Sequence, residues 1–370
     1  MNNFSVNATQ LLEATTFSAT YNLGESYETQ QVIAHPSQDR NLFYISCNSQ
    51  NNNKIALLEY IEEANEINLV KEIQCENTIQ NIIPCENNNN NQNQFYCVVN
   101  DQNKYKLVLC ESQLENQGEK EEKLKVVQEL NINEQKKILN VLQNKNLQEN
   151  HIYLTDVNEV NIYDLKENKE IQSIYQNENS DILLSEIDPH HTNLITNVMD
   201  NNDINIIDSR DKNTKFQIKD AHNLQILDID FNPNKQYYFQ TCSMDNLVKF
   251  WDMRKTNIAM KCMSDFANMP LSSKYNKFHD QLIVTSFNDG SLQLYKNTSI
   301  SSVPQEMLSP VNISNPLAED YQIKVYDEHE DSVYSVAWSN AKAWIFGSLS
   351  IQGNFIVNLV PSSEKYRILL

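Results

Sequence analysis

The 370-residue sequence predicts an all-β chain, and three observations support this prediction. Strand-like segments end at Asp164, Asp208, Asp252 and Lys296, a series with a constant interval of 44 residues. An interval of about 40–45 residues is typical of one four-stranded blade of a WD40 β-propeller. The segment 220–254 also contains, in order, a His, three apolar runs separated by turns, and a final Trp-Asp pair. We therefore expect a seven-bladed WD40 β-propeller, with six or eight blades as alternatives.

The segment 220–254 carries the blade pattern most completely. Residues 226–231 alternate apolar and polar side chains, which is the period of a half-buried strand. Residues 237–242 and 247–251 are two further apolar runs, and the turn-forming sequences Asn-Pro-Asn and Ser-Met-Asp-Asn separate the three runs. The segment therefore predicts three consecutive antiparallel strands.

Polar residues of the same segment predict a buried hydrogen-bonded chain. Asp245 can accept a hydrogen bond from His222, and His222 can reach the hydroxyl of Thr241 or Ser243. That hydroxyl can accept a hydrogen bond from the indole of Trp251. Buried polar groups are stable only when each has a partner, so we interpret these residues as structural and not as a Ser/His/Asp catalytic triad. The full predicted structural set is His222, Thr241, Ser243, Asp245, Trp251, Asp252 and His329.

The last repeat lies near the C-terminal end of the sequence. His329 corresponds there to His222, and partial burial of a blade histidine would lower its pKa. The step to this repeat exceeds 44 residues, and the proline-containing segment 298–322 accounts for the excess. We expect that segment to be a mobile surface insertion.

The first part of the sequence is less regular. Residues 41–47 and 54–60 predict one strand pair, and residues 95–100 and 105–110 predict another. The charged segment 111–129 is expected to be a solvated loop. The predicted blades span residues 27–74, 75–130, 131–176, 177–218, 219–262, 263–325 and 326–361.

The predicted ring must close, because an open propeller would expose sheet edges and an apolar flank. Residues 4–8 or 366–370 are the two candidates for the closing strand. We expect one domain over residues 1–370, with a C-terminal tail, 362–370, that closes or braces the last blade. The chain has only five Gly, and we expect its abundant Asn to occupy turn positions instead.

Composition argues against several classes of partner. A net charge of −20 repels phosphate backbones and anionic membrane surfaces, so nucleic acid and direct membrane binding are not expected. The seven Cys have no C-x-x-C spacing, which favours a reducing compartment. Neither a basic and apolar leader nor an apolar run of about 18 residues is visible, so we expect a cytoplasmic protein without membrane insertion.

Catalytic and cofactor motifs are missing from the sequence. It contains no phosphate-binding glycine loop and no nucleophile elbow, so no cofactor is expected. The His190-His191 pair lacks neighbouring ligands at metal spacing and is interpreted as a turn before a strand. The acidic clusters 119–122 and 327–331 are interpreted as solvated loops. An enzyme with its site at the channel mouth stays the third class of function considered, and we expect no enzymatic activity.

Two blocks, residues 228–254 and 326–370, closely resemble a family of eukaryotic propellers. It is the family that interacts with the endosome-associated recycling (EARP) and Golgi-associated retrograde (GARP) protein complexes. The final Lys-Tyr-Arg-Ile-Leu-Leu is similar to the KYxILL tail of that family, and His190, Arg210 and Trp338 stand where its pattern has them. The family's Trp is replaced here by Ile207, and the front half is unusually rich in Asn.

The resemblance implies a non-enzymatic adaptor for tethering complexes. Such proteins act in endosome-to-plasma-membrane and endosome-to-trans-Golgi transport and in dense-core vesicle cargo sorting. The resemblance implies a peripheral location at the trans-Golgi network and endosomes through partners. We expect a monomer outside the complex.

Six residues are candidates for contacts with a partner: two Arg residues and four residues near the end of the sequence. Arg254 and Arg210 each follow a strand-ending Asp by two residues, so they would place two bidentate donors on one rim, unless each only pairs with its own Asp. Trp-Asp-x-Arg also resembles the box by which some propellers dock onto the cullin-4 ligase adaptor, which gives the alternative function of a ligase substrate receptor. The apolar end of the sequence either braces the last blade or binds a partner, through Tyr366, Ile368, Leu369 and Leu370.

Overall fold

The protein is a closed ring of seven β-sheets in a computed structural model. The structure describes residues 18–24, 27–49, 52–85, 94–102, 104–112, 121–143, 151–177, 180–211, 213–302 and 320–369. The inner strand of every sheet contacts the inner strands of both neighbouring sheets, so the ring is complete. The predicted seven-bladed all-β fold is confirmed, and one helix is present among the described residues.

The strands follow one another from the channel outward in each blade. The first strand, β1, is Ala19–Asn22. Blade 1 contains β2 (Glu28–Ala34), β3 (Asn41–Asn48), β4 (Asn53–Ile61) and β5 (Glu66–Cys75). Blade 2 contains β6 (Thr78–Pro84), β7 (Gln94–Asp101) and β8 (Lys104–Glu111), then β9 (Glu121–Lys123) joins the edge of blade 1 and β10 (Val126–Leu130) completes blade 2. Blade 3 contains β11 (Ile138–Gln143), β12 (His151–Asp156), β13 (Glu159–Asp164) and β14 (Lys169–Gln176).

The second half repeats this arrangement. Blade 4 contains β15 (Ile182–Ile187), β16 (Leu194–Met199), β17 (Ile204–Asp208) and β18 (Asn213–Ile218). Blade 5 contains β19 (Ile226–Phe231), β20 (Tyr238–Ser243), β21 (Leu247–Asp252) and β22 (Lys261–Met263). Blade 6 contains β23 (Pro270–Tyr275), β24 (Leu282–Phe287), β25 (Leu292–Lys296) and β26 (Tyr321–Tyr326). Blade 7 contains β27 (Val333–Trp338), β28 (Ile345–Ser350) and β29 (Asn354–Leu359), and helix α1 (Ser362–Leu369) follows.

The ring closes through β1, which pairs antiparallel with β29 as the outer strand of blade 7. The partners run from Ala19 opposite Val357 to Asn22 opposite Asn354. The prediction that residues 366–370 form the closing strand is wrong, because Ser362–Leu369 is helical. The other candidate, residues 4–8, lies outside the described residues. Closure removes the free edge that β29 would otherwise expose.

The segment 111–129, predicted as a loop, contains strand residues in the structure. Its last part begins β10, the outer strand of blade 2, and Glu121–Lys123 pairs parallel with β5. An outer strand of a propeller faces solvent and need not show apolar alternation, so its sequence reads as a charged loop. The predicted insertion 298–322 lies largely outside the described residues, although 298–302 is described and Tyr321 begins β26.

Apolar clusters fill the spaces between adjacent blades. The cluster between blades 4 and 5, for example, joins Leu194 and Ile206 to Ile229, Phe239 and Trp251, all of them buried. The inner strands of a blade are therefore covered on both faces, because a neighbouring blade packs on each face. Burial on both faces explains why strands such as β16 are buried at every position.

The polar residues of blade 5 form a continuous buried chain. The Nδ1 of His222 lies 3.0 Å from Asp245 Oδ2, and its Nε2 lies 2.7 Å from Thr241 Oγ1. The indole Nε1 of Trp251 donates to the same Thr241 oxygen at 2.9 Å. Ser243 stands apart from this chain, because its hydroxyl donates to the carbonyl of Leu224 at 2.9 Å. The chain thereby ties the loop before β19 to β20, to the turn after β20 and to β21.

Blade 7 contains a shorter version of this contact. The Nε2 of His329 lies 2.8 Å from Ser348 Oγ. Burial lowers the pKa of both His222 and His329 to about 4, although in His222 the charge of Asp245 opposes the effect. Both rings are therefore neutral at pH 7, so His222 Nδ1–H donates to Asp245 and Nε2 accepts from Thr241.

Replacing Thr241 by Val tests the blade 5 chain. Valine has nearly the same shape but leaves the buried Nε2 of His222 and the Trp251 N–H without a partner. We expect the free energy of unfolding to fall by about 1–3 kcal/mol, measured by chemical denaturation. Thr78→Val is the matched control, because the Thr78 hydroxyl bonds to Asn100 at an exposed position. Equal losses for the two variants would contradict a special role for the chain.

Acid titration tests the buried histidines. The unfolded chain binds a proton at each His near pH 6.5, whereas folded His329 does so only near pH 4. Stability is therefore present above the unfolded pKa and is lost as pH falls from 6.5 towards 4, by about 1.4 kcal/mol per pH unit for such a group. His329→Gln should show a smaller drop of the thermal midpoint between pH 7 and pH 5 than the unmodified chain. Parallel pH profiles for the two proteins would refute this assignment.

Candidate functional site

Arg210 and Arg254 occupy the same place on adjacent blades. Each lies in the turn between the third and fourth strands, on the rim that also carries the turns between first and second strands. We call this face the turn rim. Arg210 donates from Nε and Nη2 to Asp208 at 2.9 and 2.7 Å, and Arg254 donates in the same way to Asp252, at 2.8 Å from each nitrogen. Both predicted residues therefore form an ion pair with their own strand-ending Asp.

These ion pairs have a buried and an exposed side. Asp208 and Asp252 are buried, while the Arg210 and Arg254 side chains are 64% and 51% exposed. The hydrogen bond from Arg210 lowers the pKa of Asp208 to about 2. Burial acts to raise the pKa of Asp252, but the hydrogen bonds and charge of Arg254 outweigh it and lower that pKa. These bonds use Nε and Nη2, so the outer Nη1 of each guanidinium faces away from its Asp.

A pocket of ≈ 320 Å³ lies on the turn rim between blades 4 and 5. We call it the blade 4–5 pocket. Its lining consists of His190, His191, Thr192, Asn193, Leu194, Arg210, Lys215, Phe216, Tyr237 and Arg254. All three permanently charged side chains of this lining are positive. The pocket therefore contrasts with the net charge of −20 of the whole chain.

Tyr237 is one of the residues that line this pocket. His191 stacks on its ring with centroids 4.3 Å apart, and the Cζ of Arg254 lies 4.6 Å from the ring centroid. The backbone of Tyr237 has φ = 68°, a left-handed conformation that is strained for a bulky residue. Its carbonyl accepts a hydrogen bond from Met253 N at 3.0 Å. The sequence pattern indicated only a strand at Tyr237, and nothing in that pattern marks the strained backbone.

The two adjacent histidines have structural partners. His191 Nδ1 lies 2.9 Å from Asp188 Oδ2, and His190 Nε2 lies 3.1 Å from the carbonyl of Asn232 in the next blade. Within the described ranges, no group of three or more His, Cys, Asp or Glu is arranged to hold a metal ion. The turn between β15 and β16 thus fixes both rings at the edge of the blade 4–5 pocket.

The C-terminal candidates lie on helix α1, which packs across blades 6 and 7. Ile368 packs on the apolar cluster that also contains Trp344. Tyr366 and Leu369 point outward, at 62% and 59% exposure. Leu370 lies outside the described residues. The tail therefore divides into a packed side and an exposed side.

Glu364, a residue that sequence patterns did not single out, anchors this helix. Its side chain is buried, accepts a hydrogen bond from Tyr321 Oη at 2.6 Å and one from Arg367 Nη1 at 2.6 Å. Lys296 Nζ, also buried, lies 3.9 Å away. The signal for Glu364 is spatial, since Lys296 and Tyr321 belong to strands far away in the sequence.

A second charged cluster lines the channel on three inner strands. Lys274 Nζ lies 2.7 Å from Asp228 Oδ1, and Asp230 accepts a hydrogen bond from the backbone of Tyr275 at 2.6 Å. Burial raises the pKa of Glu186 to about 7 and that of Asp230 to about 6, with the charge of Lys274 opposing both shifts. The charges join blades 4, 5 and 6 around the channel, and the sequence pattern did not indicate them.

Two protein-family models match the sequence, and both describe propeller repeats. A family model described as "EIPR1 beta-propeller" matches residues 18–295, and a WD40 (G-beta repeat) model matches residues 320–351. None of the helices in the described ranges has the length and apolar character needed to cross a membrane.

Curated relatives match over part of their length. "EARP and GARP complex-interacting protein 1" of Homo sapiens is 39% identical over 197 residues, which are 49% of this chain and 50% of that protein. "EARP-interacting protein homolog" of Gekko japonicus is 41% identical over 197 residues, with the same coverage. "EARP-interacting protein 1" of Caenorhabditis elegans is 35% identical over 200 residues, 52% of this chain and 55% of that protein.

The chain thus spans about half the length of the curated relatives it matches. The family model, by contrast, covers most of the chain, from the closing strand β1 to the third strand of blade 6. The resemblance drawn from the blade 5 and C-terminal blocks is confirmed by this match. The chain belongs to the EIPR1 β-propeller family.

Proposed function

We propose that the protein is a non-enzymatic adaptor that binds the multisubunit EARP and GARP tethering complexes. The match of residues 18–295 to the EIPR1 β-propeller family carries this proposal, because the names of relatives in that family state an interaction with those complexes. A closed propeller supports an adaptor role, since rigid blades hold many surface turns in fixed positions. The charged channel residues support it as well, because their hydrogen bonds serve contacts between blades.

The proposed cellular role follows from these partners. The adaptor supports transport from endosomes to the plasma membrane and to the trans-Golgi network, and sorting of dense-core vesicle cargo. It works at endosomes and the trans-Golgi network as a peripheral protein held by its partners. Outside the complex it is a monomer.

The alternative function, a substrate receptor of a cullin-4 ligase, is not supported. Its motif basis was the pair of Asp-x-Arg boxes. The names of the curated relatives state an interaction with EARP and GARP complexes, and in both boxes the Arg side chain forms a bidentate bond with the Asp of its own box.

Affinity purification with crosslinking mass spectrometry tests the main proposal. The tagged full chain should recover subunits of both tethering complexes, because an adaptor has to contact them directly. A tagged unrelated seven-bladed propeller serves as the control for general binding to blades. Failure to recover any tethering subunit under gentle lysis would refute the proposal.

The two sides of helix α1 give a second test. We expect Glu364→Ala to lower the free energy of unfolding by about 1–3 kcal/mol, because the Tyr321 hydroxyl and Lys296 lose their buried partner. The exchange of Tyr366 and Leu369 for Ser should leave stability unchanged and weaken recovery of the complexes, because both side chains are exposed. Denaturation curves and quantitative recovery measure the two effects. Full recovery with the double variant would exclude the exposed side of the tail as a partner contact.

A further inference from the structure

The turn rim has three neighbouring clefts between blades 4 and 7, and two of them contain the same kind of aromatic stack. In the cleft between blades 6 and 7, His279 of one blade stacks on Trp344 of the next, with ring centroids 4.8 Å apart. In the blade 4–5 pocket, His191 stacks on Tyr237 in the equivalent turns. A cation lies beside the aromatic ring in both places, Lys365 at 5.7 Å and Arg254 at 4.6 Å.

The cleft between blades 6 and 7 is filled by the chain itself. Helix α1 lies there and brings the buried carboxylate of Glu364 to Tyr321 and to the cation Lys296, which terminates β25 as Asp208 terminates β17. A helical segment with a carboxylate thus completes this cleft. In this cleft a carboxylate lies 3.9 Å from a cation of the blade, Lys296.

The cleft between blades 5 and 6 is also filled. The turn formed by residues 298–302 lies in it, where Ser302 Oγ donates to Asp280 at 2.8 Å. Lys235 Nζ donates from blade 5 to the carbonyl of Ser301 at 3.2 Å. The chain therefore covers two of these three clefts with its own segments.

The blade 4–5 pocket differs, because no described segment covers it. It keeps a volume of ≈ 320 Å³ with Arg210, Lys215 and Arg254 in its wall. Asp208, which pairs with Arg210 and with Lys215 at 3.5 Å, and Asp252 are buried behind the guanidinium groups, and the exposed Asp211 follows Arg210 in the same turn. An approaching ligand therefore meets the positive side of both ion pairs first.

The strain at Tyr237 is a second and independent observation. A left-handed backbone costs free energy at a residue of this size and persists where surrounding contacts impose it. The Tyr237 ring, one of the lining residues, contacts His191 and Arg254 in this arrangement. Strained residues of this kind concentrate at ligand-binding sites.

From the charge of the lining, the open volume and the filled cleft between blades 6 and 7, we propose that the blade 4–5 pocket binds an acidic peptide segment of a partner protein. A carboxylate of that segment accepts hydrogen bonds from the outer nitrogens of Arg210 and Arg254. The inference extends the proposed function and rests on it only for the identity of the partner.

A binding assay with the purified full chain tests the chemistry directly. The probe is a fluorescein-labelled hexaglutamate peptide, its neutral counterpart is hexaglutamine, and fluorescence anisotropy is the readout. We expect Arg210→Gln with Arg254→Gln to weaken binding of the acidic peptide by at least about tenfold. Arg40→Gln is the matched control, because Arg40 forms the same bidentate pair with Glu59 and is 43% exposed. Thermal midpoints establish that all variants are folded.

The outcomes separate this inference from the proposed function. Loss of the acidic peptide in the double variant alone, with hexaglutamine unbound throughout, supports the pocket. Equal binding by the double variant and Arg40→Gln overturns it, as does binding of both peptides alike. The same variants are then used to recover tethering complexes from cell extract. If the unmodified chain and the double variant recover the complexes equally well, the inference fails while the proposed function stands. If the unmodified chain recovers no complex, the proposed function fails. The peptide assay alone then decides the chemistry of the pocket.

A photo-crosslinking residue in place of Phe216, a lining residue, identifies the occupant. Leu224, which is exposed and lies outside that lining, is the control position. Crosslinks from position 216 to an acidic segment of a tethering subunit support the proposal. Crosslinks to residues 1–17 or 303–319 of the same chain overturn it in favour of an internal occupant.

Discussion

Pairing of β1 with β29 is the interaction on which the rest of the structure depends. Four residues near the start of the described chain complete the outer edge of the last blade. The pairing also places Ala19 in the apolar cluster in which Phe43 and Leu58 of blade 1 pack with Phe355 and Val357 of blade 7. Every other blade contact, and the spacing of the turns on both rims, presupposes a closed ring.

The sequence predicted the repeated part of the fold well because repetition is a local signal. Strand ends every 44 residues, at Asp164, Asp208, Asp252 and Lys296, and apolar runs of strand length identify blades 3 to 6 directly. Outer strands such as β10 were not predicted, because their solvent-facing side chains lack apolar alternation. The closing strand escaped for a different reason: pairing between Asn22 and Asn354 leaves no trace in either segment alone. Asn did take turn positions, with positive φ at Asn65, Asn168, Asn202 and Asn246.

In the candidate site, too, the sequence predicted the residues marked by a local pattern and missed those defined by contacts between distant segments. Arg210 and Arg254 were found because each follows a recognisable strand end at the repeat interval. The stack of His191 on Tyr237, the anchoring of Glu364 and the channel charges joining Asp228 to Lys274 all form between blades. Contacts of that kind depend on the ring radius and on side-chain direction, which the pattern of one blade does not contain.

Closure also sets an order on how the molecule is made. Asn22 and Asn354 are 332 positions apart, so the last blade cannot be completed until nearly the whole chain has left the ribosome. Until then the first blade and the most recently made blade each have a neighbour on one side only. Their uncovered apolar flanks can bind other chains. Contacts of such long sequence separation form slowly. The apolar surfaces between blades 1 and 7 therefore stay uncovered for most of the synthesis of the chain.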